Sequence, residues 1–192
     1  MQYPKIAVID YKAGNLTSVR NAFASIGVDT VITRDPEILC RAERIVFPGV
    51  GAAASAMQNL KDFHLIEVIR ELILSGKPFL GICLGMQILF EHSEEDGGVE
   101  LLGVLPGKVR LFPSIPGFKV PEIGWNQVNG DKEYYFVHSY YAELGPYTTG
   151  VTEYAGVKFT GIVRKDRLIA CQFHPEKSGR IGLEFLKEFV QC

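Results

Sequence analysis

An α/β fold, with a mostly parallel central sheet flanked by helices and additional antiparallel strands in the C-terminal half, is the class this sequence predicts. Short β-branched and apolar runs alternate with helical patterns through the first half. Near residue 99 the pattern changes to closely spaced, glycine-punctuated runs of strand type. A helical pattern then closes the chain.

In order, KIAVID (5–10), VDTVIT (28–33), RIVFPG (44–49) and KPFLGI (77–82) read as strands. The helix after the first strand puts Leu16, Val19, Phe23 and Ile26 on one face, opens near Asn15 as a cap and stops at Gly27. A second helical region covers 52–75, with Leu60, Ile66, Ile69, Leu72 and Ile73. A third runs from Leu84 to about His92 and follows the fourth strand with no loop between. Such alternation implies right-handed crossovers and a sheet covered on both faces. Beyond it, VELLGV, KVRLFP, EYYFVH, TGVTEYAG, VKFTGIVRK and RLIACQFH are expected as antiparallel additions to that sheet. The closing helix spans about 179–190, capped by Ser178, and presents Ile181, Phe185, Phe189 and Val190. With no repeat or linker, one domain over 1–192 is expected.

Composition narrows the function classes. With 47% hydrophobic and 22% charged residues, the chain is in the ordinary globular range. A formal net charge of −2 without a basic stripe argues against a nucleic-acid or anionic-lipid surface and favours a small neutral or zwitterionic substrate. MQYPKIAVID lacks the pattern of a secretory leader, and the apolar runs fall short of the ~18 residues that span a bilayer, so a cytoplasmic protein is expected. Cys40, Cys83, Cys171 and Cys192 form no CxxC pair and are expected as free thiols.

Gly81-Ile82-Cys83-Leu84-Gly85 lies between an apolar strand and an apolar helix. This is the form of a nucleophile elbow, whose sharp turn projects one side chain and needs glycine on both sides. Helix N-terminal N–H groups favour a thiolate below the free thiol value of ~8.5, and the Leu84 N–H can stabilise an oxyanion. The bland alternative is that Cys83 is one more small buried residue. At 171–178 the chain reads Cys-Gln-Phe-His-Pro-Glu-Lys-Ser. In an extended segment His174 and Glu176 would face one site as base and orienting carboxylate, completing a Cys-His-Glu constellation. Cys171 and His174 lack the second pair that a metal site needs, and His64, His92 and His138 read as surface or structural residues. Pro48-Gly49-Val50-Gly51 can bring backbone N–H groups close to a ligand, or be a plain turn.

PGVG, GICLGMQ and HPEKS, in that order, resemble the class I glutamine amidotransferases. Together with DYKAGNL (10–16), GWN (124–126) and YYFVHSYY (134–141), they resemble the glutaminase subunits of imidazole glycerol phosphate synthases over essentially the whole chain. The resemblance implies a flavodoxin-like fold and no metal or organic cofactor. It makes Cys83 the nucleophile, His174 the acid and base, and Glu176 the carboxylate that orients it. Oxyanion donors then come from Val50, Gly51 and Leu84, and the glutamine site from Gly49, Gln87, Glu95, Ser139 and Tyr140. Asn15, Trp125 and Lys177 match positions facing a (β/α)₈-barrel cyclase, the heterodimer partner that receives ammonia and forms imidazole glycerol phosphate and aminoimidazole carboxamide ribotide. A peptide flip in Gly49-Val50-Gly51 is expected to gate the oxyanion hole when the partner binds its own substrate.

Two departures concern the acceptor: Glu122 stands where relatives often have histidine, and Lys12 where they often have glycine. They leave open related glutaminases that serve amidino-sugar synthesis; pyridoxal phosphate synthesis is another alternative, which HPEKS and GWN disfavour. A different class of reading is a non-catalytic or redox-sensing α/β module that keeps an elbow cysteine and has no need of His174 and Glu176.

Overall fold

The computed structural model describes residues 5–12 and 15–192. Ala13 and Gly14 of DYKAGNL, and the first four residues, on which the expectation about a leader falls, lie outside the described residues. Through the first half, strands and helices alternate as β1 (Ile6–Ile9), α1 (Leu16–Ser25), β2 (Thr30–Thr33), α2 (Pro36–Arg41), β3 (Arg44–Phe47), α3 (Ala53–Asp62), α4 (Ile66–Leu74) and β4 (Phe79–Ile82). The sequence analysis missed α2, although its signal is local: the Asp35 carboxylate accepts the Glu37 N–H, and Pro36 occupies the first turn. The 52–75 region is two helices, because the chain turns at His64 with φ 56 and drives Leu65 into the core.

The second half continues with α5 (Leu84–Gln87), β5 (His92–Ser93), β6 (Val99–Glu100), β7 (Lys108–Leu111), β8 (Glu122–Val128), β9 (Lys132–His138) and β10 (Tyr140–Ala142). It ends with β11 (Thr148–Tyr154), β12 (Val157–Lys165), β13 (Leu168–Cys171) and α6 (Gly179–Gln191). The central sheet has the order β11-β12-β13-β4-β3-β1-β2. From β13 to β2 all neighbours are parallel, while β11 and β12 add antiparallel at one edge. This is the predicted fold class.

Four expectations about the second half change. RLIAC runs parallel to β4, with Ala170 beside Gly81 and Cys171 beside Ile82. Its residues are buried on both faces, which is the setting of an interior parallel strand. KVRL leaves the central sheet for a small sheet of order β10-β7-β5-β6, and β8 and β9 form a separate hairpin. Of VELLGV only Val99 and Glu100 are strand, while Leu102, and Leu105 just after the segment, are buried in the core.

Alternation along β1 sends Ala7 and Ile9 to one face of the sheet and Ile6 and Val8 to the other. On the first face they join Phe47, Leu60, Ile69, Phe79 and Ile88; on the second, Phe23, Phe136, Phe159, Phe173 and Phe189. Helix α6 seals the second face with buried Phe185, Leu186 and Phe189, each contributing about 1.5–3 kcal/mol. Ser178 does not cap α6 with its side chain. Its hydroxyl donates to the His174 carbonyl at 2.7 Å and accepts from the Tyr135 N–H at 2.9 Å, tying α6 to the hairpin and to the segment at the sheet's carboxyl edge.

Candidate active site

Strand β4 ends at Ile82, and the chain reverses into α5 through Cys83, whose φ of 52 and ψ of −108 are strained for a residue with a Cβ. The strain is held from both sides: the Cys83 N–H donates to the Cys171 carbonyl at 2.7 Å, and its own carbonyl accepts from Met86 and Gln87. The flanking glycines are needed for close approach. A Cβ on Gly85 would collide with the Phe47 carbonyl, one on Gly81 with the Gly85 carbonyl, and one on Gly49 with the Gly85 N–H and Leu84. The third helix is shorter than the sequence implies, ending at Gln87. With one turn of helix the macrodipole is small, so individual N–H groups supply the positive potential at the sulfur.

A cavity of about 390 Å³ opens over this elbow. It is lined by Gly49, Val50, Gly51, Cys83, Leu84, Gln87, Glu95, Ser139, Tyr140, His174 and Lys177, and also by Pro121, Val137 and His138. The predicted nucleophile, base, oxyanion donors and glutamine-site residues thus converge from distant parts of the chain. Gly51 has φ 106, a conformation that favours glycine.

His174 reaches the cavity from the segment after β13, with its N–H donating to the Tyr135 carbonyl at 2.9 Å. Its Nδ1 meets Glu176 Oε1 at 2.8 Å, both side chains being 1% exposed. The same carboxylate oxygen accepts from Asn15 Nδ2 at 2.8 Å. The expected extended alternation does not bring His174 and Glu176 together. Pro175–Lys177 form a single 3-10 turn that folds the carboxylate back to the ring's Nδ1. Burial opposes charge on His174, but the Cys83 thiolate, and after it Glu176, outweigh burial and lift its pKa to about 10.

The other expected residues divide by the bonds they make. Gln87 Nε2 donates to the Tyr140 carbonyl at 2.7 Å and to Gln172 Oε1 at 3.0 Å. Its donors are committed, which leaves its Oε1 as the end that can accept from a ligand. Glu95 accepts the Ala53 N–H at 2.7 Å, and burial raises its pKa. Asn15 sits at α1's entrance with φ 70 but gives its side chain to Glu176 instead of capping the helix. Lys177 lies over the Tyr135 ring at 5.8 Å, and Trp125 packs edge-on against the same ring at 6.2 Å. Trp125 is 56% exposed and lines a second cleft, of about 430 Å³, with Phe118, Ile123 and Tyr154. That cleft is of similar size to the first but has neither the thiol nor the catalytic histidine candidate.

Sequence reasoning missed Gln172 and the placement of Glu122 and His138. His138 forms part of the cavity wall, hydrogen-bonded through Nδ1 to the Tyr140 carbonyl at 2.7 Å, while its Nε2 lies 3.1 Å from Glu122 Oε2, at ion-pair distance but without hydrogen-bond geometry. Their signal is not local, since β8 and β9 must pair to bring Glu122 beside His138. Cys171 is fully buried, and burial pushes its thiol well above the ordinary range. Among the described residues no group of three or more His, Cys, Asp or Glu is placed to hold a metal, and no helix is long and apolar enough to cross a membrane.

The model of the class I glutamine amidotransferase family matches residues 7–192. An imidazole glycerol phosphate synthase subunit HisH from Methanothermobacter thermautotrophicus is 48% identical, over 97% of this chain and 98% of its own length. This chain belongs to the class I glutamine amidotransferases, among the HisH subunits. The HisH of Lactococcus lactis is likewise 48% identical over 97% of this chain and 98% of its own. A solved glutamine amidotransferase structure shares this amidotransferase's fold with a TM-score of 0.76 at 19% identity, covering 98% of this chain and all of that one. One from Thermotoga maritima has a TM-score of 0.60 at 19% identity, covering 100% and 85%.

Proposed function

We propose that this chain is the glutaminase subunit of imidazole glycerol phosphate synthase, hydrolysing L-glutamine and passing the ammonia to a cyclase partner in histidine biosynthesis. Family membership supports the reaction class, and the names of the relatives favour this acceptor over an amidino sugar or pyridoxal phosphate. The observation that carries the mechanism is one cavity in which a strained cysteine, a histidine backed by a buried carboxylate, and a glycine loop meet.

Cys83 thiolate attacks the glutamine carboxamide carbon, and the oxyanion forms against backbone N–H groups of Val50, Gly51 and Leu84. His174, held by Glu176, protonates the departing nitrogen. Ammonia leaves, and a γ-glutamyl thioester remains on Cys83. Water then gives a proton to His174 and its hydroxide to the carbonyl, and glutamate is released. Gln87 Oε1 and the Glu95 carboxylate suit the substrate ammonium, with the backbone of Gly49, Ser139 and Tyr140 completing the glutamine site. Ammonia must reach its acceptor unprotonated, which calls for a docked cyclase at the rim carrying Asn15, Trp125 and Lys177 and fits a cytoplasmic complex.

The Gly49-Val50-Gly51 loop is proposed as the gate. Losing one oxyanion donor costs about 3–4 kcal/mol, or ~10²–10³ in rate, enough to keep the free subunit nearly silent. Glutamine hydrolysis is to be measured for the free chain, for the complex, and for the complex with the cyclase's ligand. Rates are expected to rise in that order; equal rates in all three would sink gating, and no hydrolysis in any would sink the glutaminase reading.

A further inference from the structure

Gln172 is completely buried between Cys171 and Phe173, and its backbone N–H is tied to the Gly161 carbonyl at 2.9 Å. A buried carboxamide needs partners on both ends. Gln172 finds them in the site: Oε1 accepts from Gln87 Nε2 at 3.0 Å, and Nε2 donates to Cys83 Sγ at 3.5 Å. The orientation of both amides follows from the chain of bonds. The Tyr140 carbonyl can only accept, so the Gln87 end that meets it is the NH₂ group. That same NH₂ meets Gln172, so the facing atom of Gln172 is its oxygen, and its NH₂ is turned to the sulfur.

We propose that Gln172 is a further catalytic residue, whose carboxamide N–H holds and stabilises the Cys83 sulfur as its thiolate; this rests on the reading of Cys83 as nucleophile. A thiolate is a far stronger acceptor than a thiol or a thioester sulfur, so the bond favours the ionised cysteine before attack. It acts again in the second half of the reaction. When hydroxide has added to the thioester carbonyl, the C–S bond breaks with its electron pair passing to sulfur, and the Gln172 N–H receives the thiolate that leaves. Glutamate carries the hydroxide oxygen, and His174 carries the proton taken from water. Through Gln87 the same amide is joined to the wall where glutamine binds, so the sulfur and the substrate site share one line of hydrogen bonds.

The test reads the thiol without turnover. The rate of Cys83 alkylation by iodoacetamide is followed against pH, with the modified peptide identified by mass, because Cys40 and Cys192 are exposed and also react. The titratable groups that act on Cys83 or feel its charge are His174, Tyr11 and Cys171, and the variants leave all three unchanged. Gln172→Met removes the donor at similar volume and is expected to move the profile up by about one pH unit; Gln172→Glu replaces it with a carboxylate and should move it further. Both profiles overlaying the wild type would overturn the proposal. Where a variant does not fold, the wild-type protein supplies the answer: a glutamine side-chain NH₂ resonance that shifts as Cys83 ionises is expected, and its absence overturns the proposal. Failure of the glutaminase reading is distinguishable, since it appears as no turnover by wild type in the complex whatever the alkylation profiles show.

Discussion

The cavity over Cys83 and the cleft along β8 lie on either side of one hairpin and are built on opposite principles. At the cavity, polar side chains are buried and held in place: Gln172, behind the Cys83 sulfur, is fully buried and His174 is 1% exposed, with bonds that set their direction. Along the cleft, Ile123 and Trp125 are more than half exposed, with Phe118 close behind. Side chains that must hold reacting atoms are fixed by their own bonds, whereas a surface awaiting a partner keeps apolar area that only docking will cover. The two regions meet at a buried pair, Glu122 on the cleft side and His138 on the cavity side.

The comparison predicts a clean division of mutational effects. Cys83→Ala should reduce glutamine-dependent synthesis by about 10⁴-fold or more while ammonia-dependent synthesis by the complex is nearly unchanged. Near-wild-type glutamine turnover by that variant would break the assignment. His174→Ala should come close to the same loss, and Glu176→Gln should retain about 10- to 100-fold more activity than His174→Ala, because the base stays and only its orientation suffers. Folded variants with full activity would reduce both residues to structure.

At the rim, Trp125→Ala is expected to weaken association with the cyclase by about 30-fold or more and Lys177→Ala by less, both read by titration calorimetry. Unchanged affinity for both would remove the rim from the interface.

The smallest expected effect is on pH dependence. His174 has a folded pKa of about 10, above its ordinary value of 6.5. Its stabilising contribution is therefore full below about pH 6.5 and is lost as pH rises toward about 10. Melting temperature measured against pH should fall more steeply over that window in wild type than in Cys83→Ser, where the chief cause of the raised pKa is gone. Parallel curves would mean that the thiol and imidazole are not coupled.

The amino-acid sequence by itself determined the alternating first half, the elbow and the identity of the acid–base candidates. Those rest on local spacing: apolar period, glycines about Cys83, and a histidine two residues from a carboxylate. Local pattern misjudged what long-range pairing decides. RLIAC has the same apolar character whether it runs parallel or antiparallel, and only the open edge of β4 made it parallel, bringing Cys171 alongside the elbow. The two-residue alternation that seemed to align His174 with Glu176 does not hold there, because the strand ends at Cys171 and a 3-10 turn follows the histidine. The tertiary structure alone decided that Gln87, Gln172 and Cys83 share one line of hydrogen bonds, because a buried amide takes its direction from partners that the sequence holds far apart.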